Sequence, residues 1–310
     1  MKSYVPPKNY VVKNRLCISF SGGKTSAYMT KMLLDHFRND PNTEVLVTFA
    51  NTGQEHEETL KFVDRCDREF GFGVVWLEAK VNKGRVGVTS TVVSFETASK
   101  KGEPFEAYIA KYGIPNRSYN QCTSRLKTEP MDHYRERVMG WPKGTYSTAV
   151  GIRADEIDRV SATAFAKNLF YPCADAGVTK EDVRLWWMEQ SFNLNIPEHL
   201  GNCQWCWKKS NRKLLTLVQT HPEIFNFPDR MEKTYALAGG ARRDGEAKRP
   251  RVFFRGNRDT TDLFLDALFT DFEPYEDGKF IPWDSEIDVG GGCGDSCEIG
   301  ADEYDEDDGL

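Results

Sequence analysis

The stretch Arg15-Leu-Cys-Ile-Ser-Phe-Ser-Gly-Gly-Lys-Thr-Ser26 constrains the chain most. A short apolar run that meets Ser-Gly-Gly-Lys-Thr-Ser and passes into an amphipathic segment predicts a buried strand over 15–20, a tight loop, and a helix over 25–37. The same alternation continues. Glu44–Ala50 reads as a second strand, Glu57–Phe70 as a helix and Val74–Leu77 as a third strand. Strand–helix–strand alternation predicts an α/β fold with an open, mainly parallel sheet flanked by helices. Such sheets bind ligands beyond the carboxyl ends of their strands, which is where the Ser-Gly-Gly-Lys loop falls.

That loop is not a Walker loop. The glycine required five residues before the Gly-Lys pair is replaced by Ile18, inside the strand. The residues still suit an anion. Gly22 and Gly23 let backbone N–H groups approach oxygen atoms, Ser21, Thr25 and Ser26 offer hydroxyls, Lys24 adds charge, and the helix N-terminus favours a phosphate. The bland alternative is a tight strand-to-helix turn.

Further along, 80–120 reads as an irregular excursion. Cys122–Val138 reads as a helix with Pro130 as a kink, Thr145–Ile152 as a strand, and Thr179–Ser191 as a helix capped by Thr179. Asn211–Thr220 and Thr260–Leu268 also read helical. Three parts are expected: an α/β nucleotide domain over 1–220, a helical extension over 221–289, and an acidic tail over 290–310 that begins at Gly290–Gly292. The tail carries seven acidic residues from Glu298 to Asp308, so the net charge of −6 belongs to it and the body is near neutral. No apolar run is long enough to cross a bilayer and the N-terminus lacks a signal-peptide core, which predicts a cytoplasmic protein with no membrane partner. Eight cysteines in that compartment point to metal or redox chemistry rather than to disulfides.

Four segments, in order, carry a resemblance to a known family. They are Ser21–Ser26; Asn51-Thr52-Gly53 with Glu55, Glu58 and Thr59; Lys127-Thr128-Glu129-Pro130-Met131; and Gly151-Ile152-Arg153-Ala154-Asp155-Glu156 with Arg159. Together they resemble the phosphoadenosine phosphosulfate (PAPS) reductase family, within the PP-loop ATP pyrophosphatase, adenine nucleotide alpha-hydrolase-like (HUP-type) group. The resemblance implies an adenine nucleotide, as PAPS, adenylyl sulfate or ATP, with magnesium left open because Thr25 stands where many PP-loop enzymes carry Asp. It implies that Asn51–Gly53 borders the adenine or ribose. Arg153 and Arg159 would clamp phosphate or sulfate through bidentate contacts, or else form ion pairs with Asp155, Glu156 or Asp158. Lys127 would offset charge on the transferred group, or stay solvated.

Cys203-Gln-Trp-Cys206 can clip an iron–sulfur cluster or zinc, or act as a redox pair; reduced core cysteines are the plain alternative. Iron–sulfur members of the resembled family hold a [4Fe–4S] cluster with a Cys-Cys pair and a later Cys-x-x-Cys. Here Cys122, Cys203 and Cys206 match, and Thr123 replaces the fourth. Cys173 is then the candidate fourth ligand, or one iron stays open. Reductases of the family end in a mobile Glu-Cys-Gly-x-His segment. This chain has Gly292-Cys293-Gly294-Asp295-Ser296-Cys297, which keeps Cys293 and Cys297 as candidate thiols without the Glu and the His.

Two reactions are therefore expected to compete: reductive release of sulfite from a sulfated nucleotide, with a thiol reductant such as thioredoxin as partner, or ATP-dependent thiolation of a tRNA, DNA or small-molecule acceptor. A nucleotide-binding protein without turnover is the third class. Trp205, Trp207, Lys208, Lys209, Arg212 and Lys213 form an aromatic–basic run that suits either a nucleic-acid strand or a cationic shell around an anionic group. The oligomeric state is not legible.

Overall fold

A computed structural model describes residues 1–84, 87–239 and 249–279. Among the described residues six strands form one sheet: β1 (Arg15–Ser19), β2 (Glu44–Asn51), β3 (Val74–Val81), β4 (Val88–Val93), β5 (Ser147–Ala149) and β6 (Leu169–Phe170), in the order β4-β3-β2-β1-β5-β6. Every pairing is parallel except β3 with β4. The expected open, mainly parallel α/β sheet of the HUP type is the fold observed.

The strands read as continuous apolar runs because both faces of the sheet are covered. Leu16, Ile18, Val47 and Phe49 point into one core with α1 (Lys24–Phe37) and α2 (Glu57–Phe70). Cys17 and Leu46 alternate onto the other face, against Trp141 and Tyr146, and Ala50 and Leu77 do so against Met131. α3 (Glu103–Tyr112) follows the antiparallel edge strand. The helix expected over 122–138 is helical throughout but widened twice. π-helical turns at Ser124–Thr128 and Tyr134–Val138 flank α4 (Glu129–His133). Pro130 has no N–H to give to the ladder and its ring crowds the preceding turn, so the first widening lies immediately before it.

Beyond the sheet come α5 (Pro172–Asp175), α6 (Lys180–Met188), α7 (Asn211–Thr220), α8 (Asn226–Tyr235) and α9 (Thr260–Phe269). A second core gathers Phe105, Tyr108 and Ile109 of α3 with Trp205, Trp207, Leu214, Met231, Phe253 and Leu263. It holds the Cys203–Cys206 turn against the edge of the sheet. No helix of the described residues is long and apolar enough to cross a membrane.

The chain moves outward from β1 through β2 and β3 to β4 on one side, and through β5 to β6 on the other. The switch point therefore lies between β1 and β5. The segments leaving their carboxyl ends are Ser21–Ser26 and Gly151–Arg153, so topology alone brings two of the four sequence motifs to one crevice.

Candidate functional site

The loop after β1 is shaped by its own side chains. The Ser21 N–H and hydroxyl donate to Ser26 Oγ at 3.2 and 2.9 Å, and the Ser26 hydroxyl donates to the Gly23 carbonyl at 3.0 Å. Ser26 is fully buried, so its role is to hold the loop. Gly22 adopts φ +85°, and a Cβ there would meet Thr59 Cγ2 at 2.8 Å. Trp187 Nε1 donates to the Lys24 carbonyl at 3.0 Å and fixes the first turn of α1. No side chain caps that helix at Gly23 and its first turn holds no acid. Its positive end thus faces the crevice without a protein carboxylate on its own element.

Arg153 arrives from β5. Its Nη1 donates to Thr25 Oγ1 at 3.1 Å, and its Nε to Asp155 Oδ1 at 3.1 Å. It is buried, and Glu156 lies 3.6 Å from its Nη1. Arg153 is thus held at the start of α1, where the sequence expectation puts it. Arg159 pairs with Glu156 on the far side of that carboxylate at 2.5 Å. It supports Arg153 through Glu156 and does not line the crevice.

A pocket of about 260 Å³ opens here. Gly23, Lys24, Thr25 and Arg153 form one wall. α6 supplies a second, with Lys180, Val183, Arg184, Trp187 and Met188. The returning chain, from Asn193 to Gly201, and Asp277 complete it. Four cationic side chains meet two carboxylates, Glu198 and Asp277, over an apolar floor. The balance favours an anion with an apolar or aromatic portion. Lys180, Arg184, Glu198 and Asp277 are absent from the sequence expectation. The spacing of Lys180 and Arg184 on one helix face was visible, but nothing local says that the face borders the loop.

Asn51, Thr52 and Gly53 lie elsewhere. Asn51 is fully buried; its Nδ2 donates to Glu78 Oε1 at 2.7 Å and to the Ser99 carbonyl at 2.8 Å, and its Oδ1 accepts from Gly53 N at 3.1 Å. Every polar atom of that side chain serves the scaffold. Gly151 is buried beside the crevice and does not line it.

Instead, the segment after β2 is covered by the cysteine turn. Glu55 pairs with Cys203 as an isolated antiparallel bridge. Gln204 N donates to the Gln54 carbonyl at 3.2 Å and Trp205 Nε1 to Gln54 Oε1 at 2.5 Å. Thr52 Oγ1 lies 3.6 Å from Cys203 Sγ and its hydroxyl donates to the Glu55 carboxylate at 2.9 Å. Lys127, in the first π-helical turn, is buried with its Nζ 3.9 Å from Glu55 Oε1. Cys122, Thr123, Lys127, Cys203, Cys206 and Trp207 border one small pocket of about 20 Å³, the space of a water molecule.

Three of the four proposed ligands therefore meet. The fourth does not: Cys173 is buried in α5, in the core beneath α1, and does not border this pocket. It follows β6, at the sheet edge opposite β4, whereas the cysteine turn packs on the β3–β4 side. Among the described residues no three His, Cys, Asp or Glu side chains are gathered tightly enough for a single metal ion. A cluster spaces its thiolates more widely than one ion does, and the donor set is of the right kind. Trp207 adds an indole N–H that is buried with no hydrogen-bond partner among the described residues. A larger group would displace the side chains that now fill the space.

The aromatic–basic run is dismantled. Trp205, Trp207, Lys209 and Arg212 are buried. Lys209 Nζ donates to the Gly201 carbonyl at 2.8 Å, and Arg212 to the Glu273 and Pro274 carbonyls at 2.9 and 3.0 Å. These rings and charges build the core and its edges, so they offer no stacking platform. Cys293 and Cys297 lie outside the described residues.

Comparison with known proteins accords with this layout. The model of the phosphoadenosine phosphosulfate reductase domain matches residues 15–260. A nin-region protein of Escherichia phage lambda is 30% identical over 292 residues, covering 91% of this chain and 94% of the relative. A protein of Methanocaldococcus jannaschii is 26% identical over 230 residues, 71% of this chain and 47% of its own length. The solved U34-tRNA thiolase NcsA of Methanococcus maripaludis, with its [4Fe-4S] cluster, overlays at a TM-score of 0.35 and 15% identity, covering 73% of this chain and 68% of that one. That overlay is too distant to bear on the chemistry.

Proposed function

The chain belongs to the phosphoadenosine phosphosulfate reductase domain family, and from that premise we propose that it cleaves ATP between its α- and β-phosphates to activate an acceptor for sulfur transfer. The observation that carries this reading is the pairing of two separate features. One is a cation-lined pocket at the N-terminus of α1; the other is a three-thiol pocket that is a residue short of four, with Thr123 in the last position.

The loop residues and Lys24 bind the β- and γ-phosphates, and the start of α1 stabilises the charge that develops on the leaving pyrophosphate. Arg153, held by Thr25 and Asp155, reaches the α-phosphate side of the same group. The acceptor oxygen attacks the α-phosphorus, pyrophosphate leaves, and a sulfur nucleophile then displaces AMP from the activated carbon. Cys122, Cys203 and Cys206 are the residues that would hold an iron–sulfur cluster, which would supply a carrier for that sulfur. Lys127 and Trp207 border the same pocket and would offer such a group a cation and an N–H donor. The acceptor belongs to the class of RNA, DNA or small molecules with an activatable carbonyl oxygen. Residues 1–220 act as the nucleotide unit, with Phe225, Phe227, Met231, Phe253 and Leu263 from the chain beyond it packing around the cysteine turn.

The reductase reading is the second. The family match and the Gly151–Arg159 segment favour it. In it Cys293 or Cys297 attacks the sulfur of PAPS or adenylyl sulfate and displaces the nucleotide, leaving an S-sulfonate on the cysteine; a dithiol reductant such as thioredoxin then releases sulfite and the free cysteine and is itself oxidised to its disulfide.

Calorimetric titration of anaerobically purified protein with ATP, PAPS and adenylyl sulfate, with magnesium present, tests the proposal. Preferential binding of ATP, with pyrophosphate released once an acceptor is supplied, is expected. Tighter binding of a sulfated nucleotide, with sulfite released, would replace the first reading by the second.

A further inference from the structure

The rim of the α6 pocket is built around a carboxylate, which is an odd neighbour for an anion. Glu198 lines the pocket and is paired with Lys180. Its backbone N–H donates to both oxygens of Asp277 at 3.1 Å, and the Tyr275 hydroxyl donates to its Oε2 at 3.3 Å. Asp277 and Tyr275 belong to the segment 273–279, which has no regular structure of its own. That segment is also held by Arg212, whose guanidinium donates to the Glu273 and Pro274 carbonyls and, at 3.5 Å, to the Lys279 carbonyl, and by Tyr275 N, which donates to Thr216 Oγ1 at 2.8 Å.

Two carboxylates beside an anion repel it, by an amount that grows as water is excluded. Lys180 now neutralises one of them. A polyphosphate or sulfate in the pocket offers Lys180 a stronger, multiply charged partner. Once Lys180 turns to the ligand, Glu198 is left beside like charge, held by the Tyr275 hydroxyl and the more distant charge of Lys213. Burial raises the Glu198 carboxyl, and Lys180, Tyr275 and Lys213 outweigh that and hold it below its ordinary value, so it is ionised and repels.

We infer that Lys180 and Glu198 form an exchangeable pair: an anionic ligand takes Lys180 from Glu198, and the departing Glu198 carboxylate gives up the Tyr275 hydroxyl and so loosens the segment 273–279 at the pocket rim. This rests on the reading that the pocket takes a phosphorylated or sulfated ligand. Lys180 is thereby a ligand-binding residue, Glu198 its competitor, and nucleotide occupancy is coupled to the segment that leads into the C-terminal part of the chain. By linkage the coupling is reciprocal, so whatever loosens the segment strengthens anion binding by the same factor.

The test uses the full chain, with pyrophosphate and ATP as probes. Affinities are measured by calorimetry, and hydrogen exchange is followed over 271–279. In the wild type, exchange over that segment should rise when either probe binds. Glu198→Gln removes the competing charge and the repulsion; it should bind pyrophosphate about fivefold more tightly or better, and exchange over its segment should no longer respond to ligand. Lys180→Met should weaken binding about tenfold and abolish the ligand's effect on exchange. Asp277→Asn removes the second carboxylate from the pocket rim and should also tighten pyrophosphate binding. Weaker or unchanged binding in both carboxylate variants, or wild-type exchange that is unaltered by bound probe, overturns the exchange. If neither probe binds the wild type, the anion pocket itself is refuted and the inference goes with it.

Discussion

Gly22 and Arg153 divide the work of the crevice. At Gly22 the backbone is left-handed, and an added Cβ would lie 2.8 Å from Thr59 Cγ2 and 3.1 Å from both Phe49 and Val63. Neither α2 nor β2 can retreat without opening the core. Gly22→Ala is therefore expected to cost about 1–3 kcal/mol in stability, measured by urea denaturation, with nucleotide binding lost in the same variant. A variant as stable as wild type would mean that the loop is not packed as described. Arg153 is a different case, since of its partners Thr25 lines the pocket, Asp155 is exposed and Glu156 half-buried, and none belongs to the apolar core. Arg153→Gln should leave the fold intact and weaken ATP binding roughly ten- to a hundred-fold, the worth of a charge-assisted pair. Unchanged affinity in calorimetry would reduce Arg153 to a brace for its own turn.

α2 carries a pH signature through its cap. His56 is the N-cap residue, and its Nδ1 accepts from Glu58 N at 3.1 Å. Only the neutral ring can accept. Burial, the largest cause, lowers its pKa below the ordinary 6.5, against the opposing pull of Glu58. The unfolded chain then binds the proton first as pH falls, so the cap's contribution is complete above 6.5 and is lost progressively below it. His199, lowered by burial in the same way, adds to the same slope. His56→Asn keeps a good cap without a titrating ring. The drop in melting temperature between pH 7.5 and 5.5 should be smaller in that variant than in the wild type; equal drops would show that the cap does not titrate.

The same elements show how far local pattern reaches. α2 and α7 are observed at the bounds that the sequence predicts, because each has a periodic apolar face and clear end signals. β4 is hidden: Val88–Val93 is half exposed, so it lacks the apolar run of a buried strand and its sequence reads as irregular chain. α8 is hidden by Pro228 within a charged run, though Phe227 and Met231 anchor it. The loop and Arg153 were legible since they follow strand ends. The α6 wall was not, because its position depends on the return of 193–201, a long-range fact. Likewise Asn51 reads as a ligand residue by motif but spends its amide on Glu78 and Ser99, far along the chain.

At the scale of the molecule, two sites share one connector. The Asn51–Glu55 segment leaves β2 next to the strand that carries the anion loop, and it is covered by the cysteine turn. Its side chains bond to that turn through Gln54, while the anion loop is held by Ser26, Trp187 and Arg153. The two sites are thus fastened by different residues and should separate under mutation. Gln54→Ala strands the buried Trp205 N–H, a loss of about 1–3 kcal/mol that falls on the cysteine turn. In protein freed of metal, Cys203 and Cys206 should then react several-fold faster with a thiol reagent, following the increased opening of the turn, while ATP affinity stays within about twofold of wild type, as expected for sites without shared partners. Cys203→Ser should, by the same reasoning, abolish iron retention in anaerobic preparations and spare ATP binding. Cys173→Ser, buried under α1 away from the three-thiol pocket, should spare iron as well. If Gln54→Ala weakens ATP binding in step with the gain in thiol reactivity, the connector transmits between the sites and the two pockets work as one.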